Sequence, residues 1–208
     1  MLDNVSRETF ITALQAGVST LPLFLSPEVL SKSLSLYDLL LQWNRTHNLT
    51  RITAPAEVAQ RHFAESFSLL SLPEALPTRG RCADIGSGAG FPGLPLAIAR
   101  PDLSWTLVEK VGKKASFLTF AAATLGLSNV TVRAVDARQL TDRFDRITFR
   151  ALSSDPSFIA ELATLLSPDG QLALFLGPEQ SLPSGFFGTE FPVNVNDRSF
   201  RVALLKPS

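Results

Sequence analysis

The chain holds one cysteine, one methionine, one tyrosine and two histidines in 208 residues. A lone cysteine, Cys82, excludes an internal disulfide framework. Two histidines and one cysteine at no short spacing give no zinc pattern, so no metal is expected. No apolar run reaches the roughly 20 residues that span a bilayer. The first residues lack a basic stretch followed by an apolar one. The expectation is a chain with no membrane partner in a reducing, cytoplasmic setting. Excess charge is missing as well: 19 basic residues face 19 acidic ones. No global field pulls the chain onto nucleic acid, so RNA contact needs a local, salt-sensitive patch. Apolar residues are plentiful, at 45% of the chain. That is enough for one substantial core.

Residues 1–72 read as a helical segment. Ser26 precedes Pro27 and Glu28, an N-cap followed by proline at the first helical position. Leu30, Leu34, Tyr37 and Leu41 recur at three and four residues, one amphipathic face. A polar loop from Asn44 to Arg51 follows, then a second helix starting near Pro55. Residues 71–80 are rich in proline and glycine and read as a linker. From there strand and helix signals alternate through residues 73–208. Strands are predicted over 82–85, 105–108, 130–135, 146–149 and 171–176, with helices over 92–100, 113–125 and 158–166. Residues 191–195 and 200–205 suit a closing antiparallel pair. This is the pattern of an α/β fold, a mostly parallel Rossmann-like sheet covered on both faces. Ligands of such sheets bind beyond the carboxyl ends of the strands, where Asp84, Glu109, Asp136 and Arg150 fall.

The run from Ala83 to Gly93 is the most informative. An apolar strand ends on Asp84; Gly86, Gly88 and Gly90 follow at alternate positions; Phe91 and Pro92 lead into an apolar helix. Glycines allow the tight turn and let a ligand lie on the backbone. About twenty residues on, a second apolar run ends on Glu109, an acid placed to hold two ribose hydroxyls. A nucleoside cofactor is implied. The segment Gly88 to Gly93 also satisfies the dinucleotide pattern G-x-G-x-x-G. A carboxylate before the first glycine would repel a pyrophosphate, and Pro92 and Pro95 remove amide donors. The ammonium and sulfonium of S-adenosylmethionine suit that carboxylate better. After strand three, Asp136 and an amide from Ala137 or Arg138 can meet the two polar edges of adenine. Arg150 can pair with a cofactor carboxylate or a phosphate, or else with a nearby acid such as Asp145 or Asp155. His62 reads as a satisfied, half-buried side chain.

The glycine segment extended through Ile98 resembles the RsmG (GidB) family of bacterial ribosomal RNA methyltransferases. Trp43-Asn44 followed by Asn48-Leu49-Thr50 is similar to that family's W-N and N-L-T. Arg61-His62 with Glu65-Ser66, Gly112-Lys113-Lys114 with Phe117-Leu118, and Phe144-Asp145 with Arg150-Ala151 match further motifs in order, over residues 37–177. The resemblance implies methyl transfer from S-adenosylmethionine to N7 of one guanine in 16S rRNA of the small ribosomal subunit. It implies a cofactor site lined by Gly86, Phe91, Ala137, Arg138 and Arg150, with Glu109 as the ribose acid. No catalytic base is expected, because guanine N7 carries a lone pair and no proton. Arg45, Arg51 and Arg61 are the expected phosphate contacts. Two positions depart from the family pattern: Arg138 stands where an acid is usual, and Leu176 where lysine is common. Other readings of the same residues are a methyltransferase for a small molecule or protein, a non-catalytic cofactor-binding module, and an NAD(P)-linked oxidoreductase.

Overall fold

A computed structural model describes residues 2–150 and 156–208. Seven strands form one sheet in the order β3-β2-β1-β4-β5-β7-β6. They are β1 (Arg81–Ile85), β2 (Ser104–Val108), β3 (Val130–Arg133), β4 (Phe144–Arg150), β5 (Leu166–Leu176), β6 (Phe186–Val195) and β7 (Arg198–Pro207). The first five run parallel. β7 pairs antiparallel with β5, and β6 antiparallel with β7, closing that edge with a hairpin. The hairpin is the predicted pair, extended by several residues at its open end. Strand order turns back between β1 and β4, so the chain leaves these two neighbours in opposite directions and opens a crevice at their carboxyl ends.

One face of the sheet carries α5 (Gly93–Ala99) and α6 (Gly112–Thr124). Trp105, Leu107, Phe117 and Leu118 are buried there in one apolar cluster with Phe10, Leu36, Tyr37 and Phe63. These last four come from α1 (Asn4–Ser19), α2 (Pro27–His47) and a helical stretch over residues 55–70. Among the described residues the opposite face carries α7 (Pro156–Ala163), and Ile147, Ile159, Leu162 and Leu172 pack there.

Ser26 caps α2 as the sequence predicts, its hydroxyl accepting from the Val29 amide at 3.3 Å. The helix near Pro55 is less regular than its periodicity implies. α3 (Pro55–Val58) widens into a π-helical turn (Ala59–Ala64) before α4 (Glu65–Phe67) and a 3₁₀ turn (Ser68–Leu70). Inside the wide turn His62 and Phe63 both face the core. A π turn adds one residue to the circuit and so turns extra side chains inward, and such turns gather at functional sites. Gly17 lets α1 come close: a Cβ there would lie 2.9 Å from the Ala64 Cβ and 3.4 Å from Val195. The N-terminal helices thus rest on both the π turn and the hairpin.

Candidate functional site

β1 ends in a turn that only glycine follows easily. Gly86 and Gly88 have φ of 67° and 56°, the left-handed region that a Cβ disfavours. Gly93 serves packing instead. A Cβ on it would sit 2.7 Å from Asp84 Oδ2 and 2.4 Å from Leu107 Cδ2, so glycine lets α5 settle onto β1 and β2. Asp84 is 1% exposed. Its carboxylate accepts from the Gly93 amide at 3.0 Å and the Thr148 hydroxyl at 3.2 Å. Loss of hydration pushes this carboxyl up to about 7 despite those donors.

At the end of β2, Glu109 is held by two main-chain donors. Gly88 N–H reaches Oε2 at 2.9 Å and Val111 N–H reaches Oε1 at 2.8 Å. An ionised carboxylate offers about four lone-pair sites, so two remain for a ligand. After β3, Asp136 caps the 3₁₀ turn Ala137–Gln139 by accepting from the Arg138 amide at 3.1 Å, and Lys110 Nζ lies 3.6 Å from its other oxygen. The amide that the sequence left undecided is thereby narrowed. Arg138 N–H is engaged, while Ala137 N–H has no acceptor among the described residues. The Arg138 side chain turns away to Glu161 at 2.7 Å and lies over the Phe158 ring.

Arg150 ends β4. Its Nη1 donates to the Arg61 carbonyl at 2.9 Å and to Glu65 Oε2 at 3.1 Å; its Nη2 approaches His62 Nδ1 at 3.3 Å. Glu65 also binds Arg198 of the hairpin at 2.6 Å. A guanidinium has no acceptor, so His62 Nδ1 must be the unprotonated nitrogen and Nε2 carries the proton. Nε2 then donates to Thr50 Oγ1 at 3.1 Å. The His62 ring stacks on Phe91, centroids 4.5 Å apart. Burial, with Arg150 and Arg61 alongside, pushes His62 down to about 3. It stays neutral at physiological pH. Of the two acids that the sequence set against Arg150, only Asp145 can be placed, and it is not a partner. Asp145 lies at the other end of β4, accepting from the Arg81 amide at 2.8 Å, and Asp155 lies outside the described residues. Glu65 and Arg198 were missed because each comes from a distant element; the Arg61-to-Ser66 motif was the available signal.

Between these groups lies a cavity of about 500 Å³, at the carboxyl ends of β1, β2 and β4. That is within the range of small-molecule sites. Gly86, Glu109, Asp136, Ala137, Arg138 and Arg150 all line it, with Lys110, Lys114 and Phe158. Asp84, Gly88, Gly90 and Phe91 do not reach its wall. They stand behind it, shaping the turn, anchoring Glu109 or backing His62. The outer candidates differ among themselves. Arg45 and Arg51 are exposed with no side-chain partner among the described residues, whereas Arg61 pairs with Glu57 at 2.6 Å. Among the described residues no helix is long and apolar enough to cross a membrane, and no group of three acids, histidines or cysteines is placed for a metal.

Residues 30–181 match the family model described as rRNA small subunit methyltransferase G. The chain is 50% identical over 143 residues to the Ribosomal RNA small subunit methyltransferase G of Sorangium cellulosum (strain So ce56), a match spanning 66% of this chain and 60% of that one. It is 41% identical over 177 residues to the protein of the same name from Anaeromyxobacter sp. (strain Fw109-5), spanning 82% and 80%. In fold it resembles the precorrin-6y C5,15-methyltransferase of Geobacter metallireducens GS-15. There the TM-score is 0.53 at 16% identity, over 71% of this chain and 88% of that one.

Proposed function

The chain belongs to the rRNA small subunit methyltransferase G family, and from that premise we propose that it transfers a methyl group from S-adenosylmethionine to N7 of a guanine in 16S rRNA. The observation that carries this reading is the cavity wall itself: the Glu109 and Asp136 carboxylates, an amide with no acceptor among the described residues, and the Arg150 guanidinium around a space of nucleoside size. The donor set fits the cofactor. Glu109, fixed by Gly88 and Val111, holds the ribose hydroxyls. Ala137 N–H and the Asp136 carboxylate meet the donor and acceptor edge of adenine. Arg150 faces the amino-acid end and binds its carboxylate. Asp84 contributes from behind by holding Gly93 and hence the turn. When bound, S-adenosylmethionine supplies an electrophilic methyl on a positively charged sulfur.

Guanine N7 presents an in-plane lone pair and loses no proton in becoming methylated. The protein therefore has to orient the base in line with the methyl and exclude water, rather than remove a proton. His62 suits this: neutral, ring-stacked and hydrogen-bonded on both nitrogens, it is fixed behind Arg150 and has no free nitrogen to act as a base. Arg45 and Arg51, at the exposed end of α2 and the loop beyond it, take rRNA phosphates. Arg61 joins them on releasing Glu57. The small ribosomal subunit places this activity in the cytoplasm.

The test is to incubate the protein with methyl-labelled S-adenosylmethionine and 30S subunits, naked 16S rRNA, ribosomal proteins or a metabolite extract. Label in 16S rRNA at a guanine that becomes sensitive to N7-specific strand cleavage is the expected result. Label only in protein or small molecules would overturn the substrate assignment. Reversing Arg45 and Arg51 to glutamate is expected to weaken rRNA methylation at unchanged cofactor affinity.

A further inference from the structure

The last turns of α2 pack against the middle of α6. Beyond α2 the chain folds back through Thr50 to His62, which stacks on Phe91 of the glycine segment. α6 starts directly after Glu109, on the cavity wall. Where the two helices meet, Trp43 lies against His47, Phe117 and Phe120, with ring centroids 5.1, 5.8 and 5.4 Å away. Phe117 is buried and supports the group from beneath. Trp43 and His47 are partly open, and Phe120 is 42% exposed. An aromatic ledge therefore faces solvent on the helix whose first turn reaches the cavity.

Its charge is equally particular. Lys113, Phe117 and Phe120 fall at helical positions i, i+4 and i+7, so Lys113 shares the ledge's side of α6. Lys114, its neighbour, lines the cavity. Neither lysine has a side-chain hydrogen bond or ion pair among the described residues, whereas Lys110 one turn away has Asp136. α6 also opens with no acid in its first turn and no side-chain cap. Two lysines at the positive end of a helix oppose its dipole. Unbalanced cations beside open aromatic faces form the stacking-and-phosphate combination that binds unpaired nucleotides.

We propose that the Trp43–His47–Phe120 ledge stacks an unpaired base of the rRNA flanking the target guanine, while Lys113 holds the phosphate leading toward the cavity. This rests on the reading above and adds where the flanking strand runs. The experiment titrates the intact protein with 16S rRNA and follows tryptophan emission. Trp105, the other tryptophan, is 1% exposed within β2, so the ledge's Trp43 reports contact. Salt-sensitive quenching is expected, lost in Trp43→Phe. Phe120→Ala and Lys113→Glu are each expected to raise the Kd for 16S rRNA about tenfold, with the Kd for S-adenosylmethionine unchanged by calorimetry. Wild-type rRNA affinity in both variants would overturn the proposal. So would quenching by rRNA-free ribosomal proteins in place of rRNA. Because binding is read without turnover, a protein that binds rRNA through the ledge and methylates nothing keeps this inference and loses the assigned reaction.

Discussion

The two walls of the cavity are built over different spans of the chain. On the β2–β3 side Glu109 takes its donors from 2 and 21 positions away, and Asp136 from 2 positions away. On the β4 side Arg150 meets Glu65 and His62 across 85 and 88 positions, and Glu65 meets Arg198 across 133. The first wall is turn and cap chemistry that the core sheet makes for itself. The second exists only once the N-terminal helices and the C-terminal hairpin are both docked. On the function proposed above, grip on the nucleoside would be local, and grip on the amino-acid end would depend on the docking of both termini.

The largest way to break this contrast is Glu65→Leu. Arg150 and Arg198 would lose their shared counter-charge. Removing one partner of a buried pair costs on the order of 3 kcal/mol. Arg198 is half exposed, so most of that falls on Arg150. A fall of several degrees in Tm with weakened cofactor binding is expected. A melting curve matching the wild type would mean that the far wall stands without Glu65.

Glu109→Gln tests the near wall. The amide keeps the size but sets an NH₂ against one of two main-chain donors. Cofactor affinity is expected to fall at least tenfold, about 1.4 kcal/mol. Stability is expected to fall by about 1–2 kcal/mol, since one buried donor loses its acceptor. Calorimetry and thermal melting read the two separately. Equal cofactor affinity in variant and wild type would remove Glu109 from the ribose.

A pH series sets two buried groups in opposition. His62 is pushed down to about 3, so the unfolded chain binds its proton first; stability falls as pH drops from about 6.5 toward 3. Asp84 is pushed up to about 7, so the folded chain keeps its proton longer; stability falls as pH rises from about 4 through 7. The two slopes oppose each other between pH 4 and 6.5. His62→Gln should leave a stability that declines with rising pH in that window. Asp84→Asn should leave one that climbs. Parallel profiles in the two variants would refute the opposition.

The contrast also marks what sequence could tell. Asp84, the glycines, Glu109 and Asp136 were legible because strand ends and turns leave local signals, and the parallel order followed from alternating strands and helices. The direction of Asp84 was not legible. Whether a strand-end carboxylate faces the cavity or the helix behind it depends on the packing of Gly93 against β1. The π turn escaped because it changes no residue type in the pattern, only the winding. Glu65 and Arg198 escaped because spacing along the chain carries no trace of a contact made through two docked elements.

The smallest expected effects separate two adjacent amides. Arg138 departs from the family pattern, yet its side chain makes an exposed pair with Glu161, 54% and 48% accessible. Such a pair contributes about 0–1 kcal/mol. Its main-chain amide, which caps to Asp136, survives any substitution but proline. Arg138→Ala is therefore expected to leave cofactor affinity within about threefold, an amount near 0.7 kcal/mol. Ala137→Pro should do more with less disturbance. Position 137 opens a helical turn, where proline's fixed φ is tolerated. Asp136 before it is already extended, at φ −69° and ψ 141°, as a residue preceding proline must be. The substitution deletes only an N–H that has no partner among the described residues. Cofactor affinity should fall by about one hydrogen bond, roughly 1 kcal/mol, at unchanged or slightly raised Tm. If Arg138→Ala proved the more damaging of the two, adenine recognition would belong to the arginine side chain, and the near wall would no longer be a main-chain device.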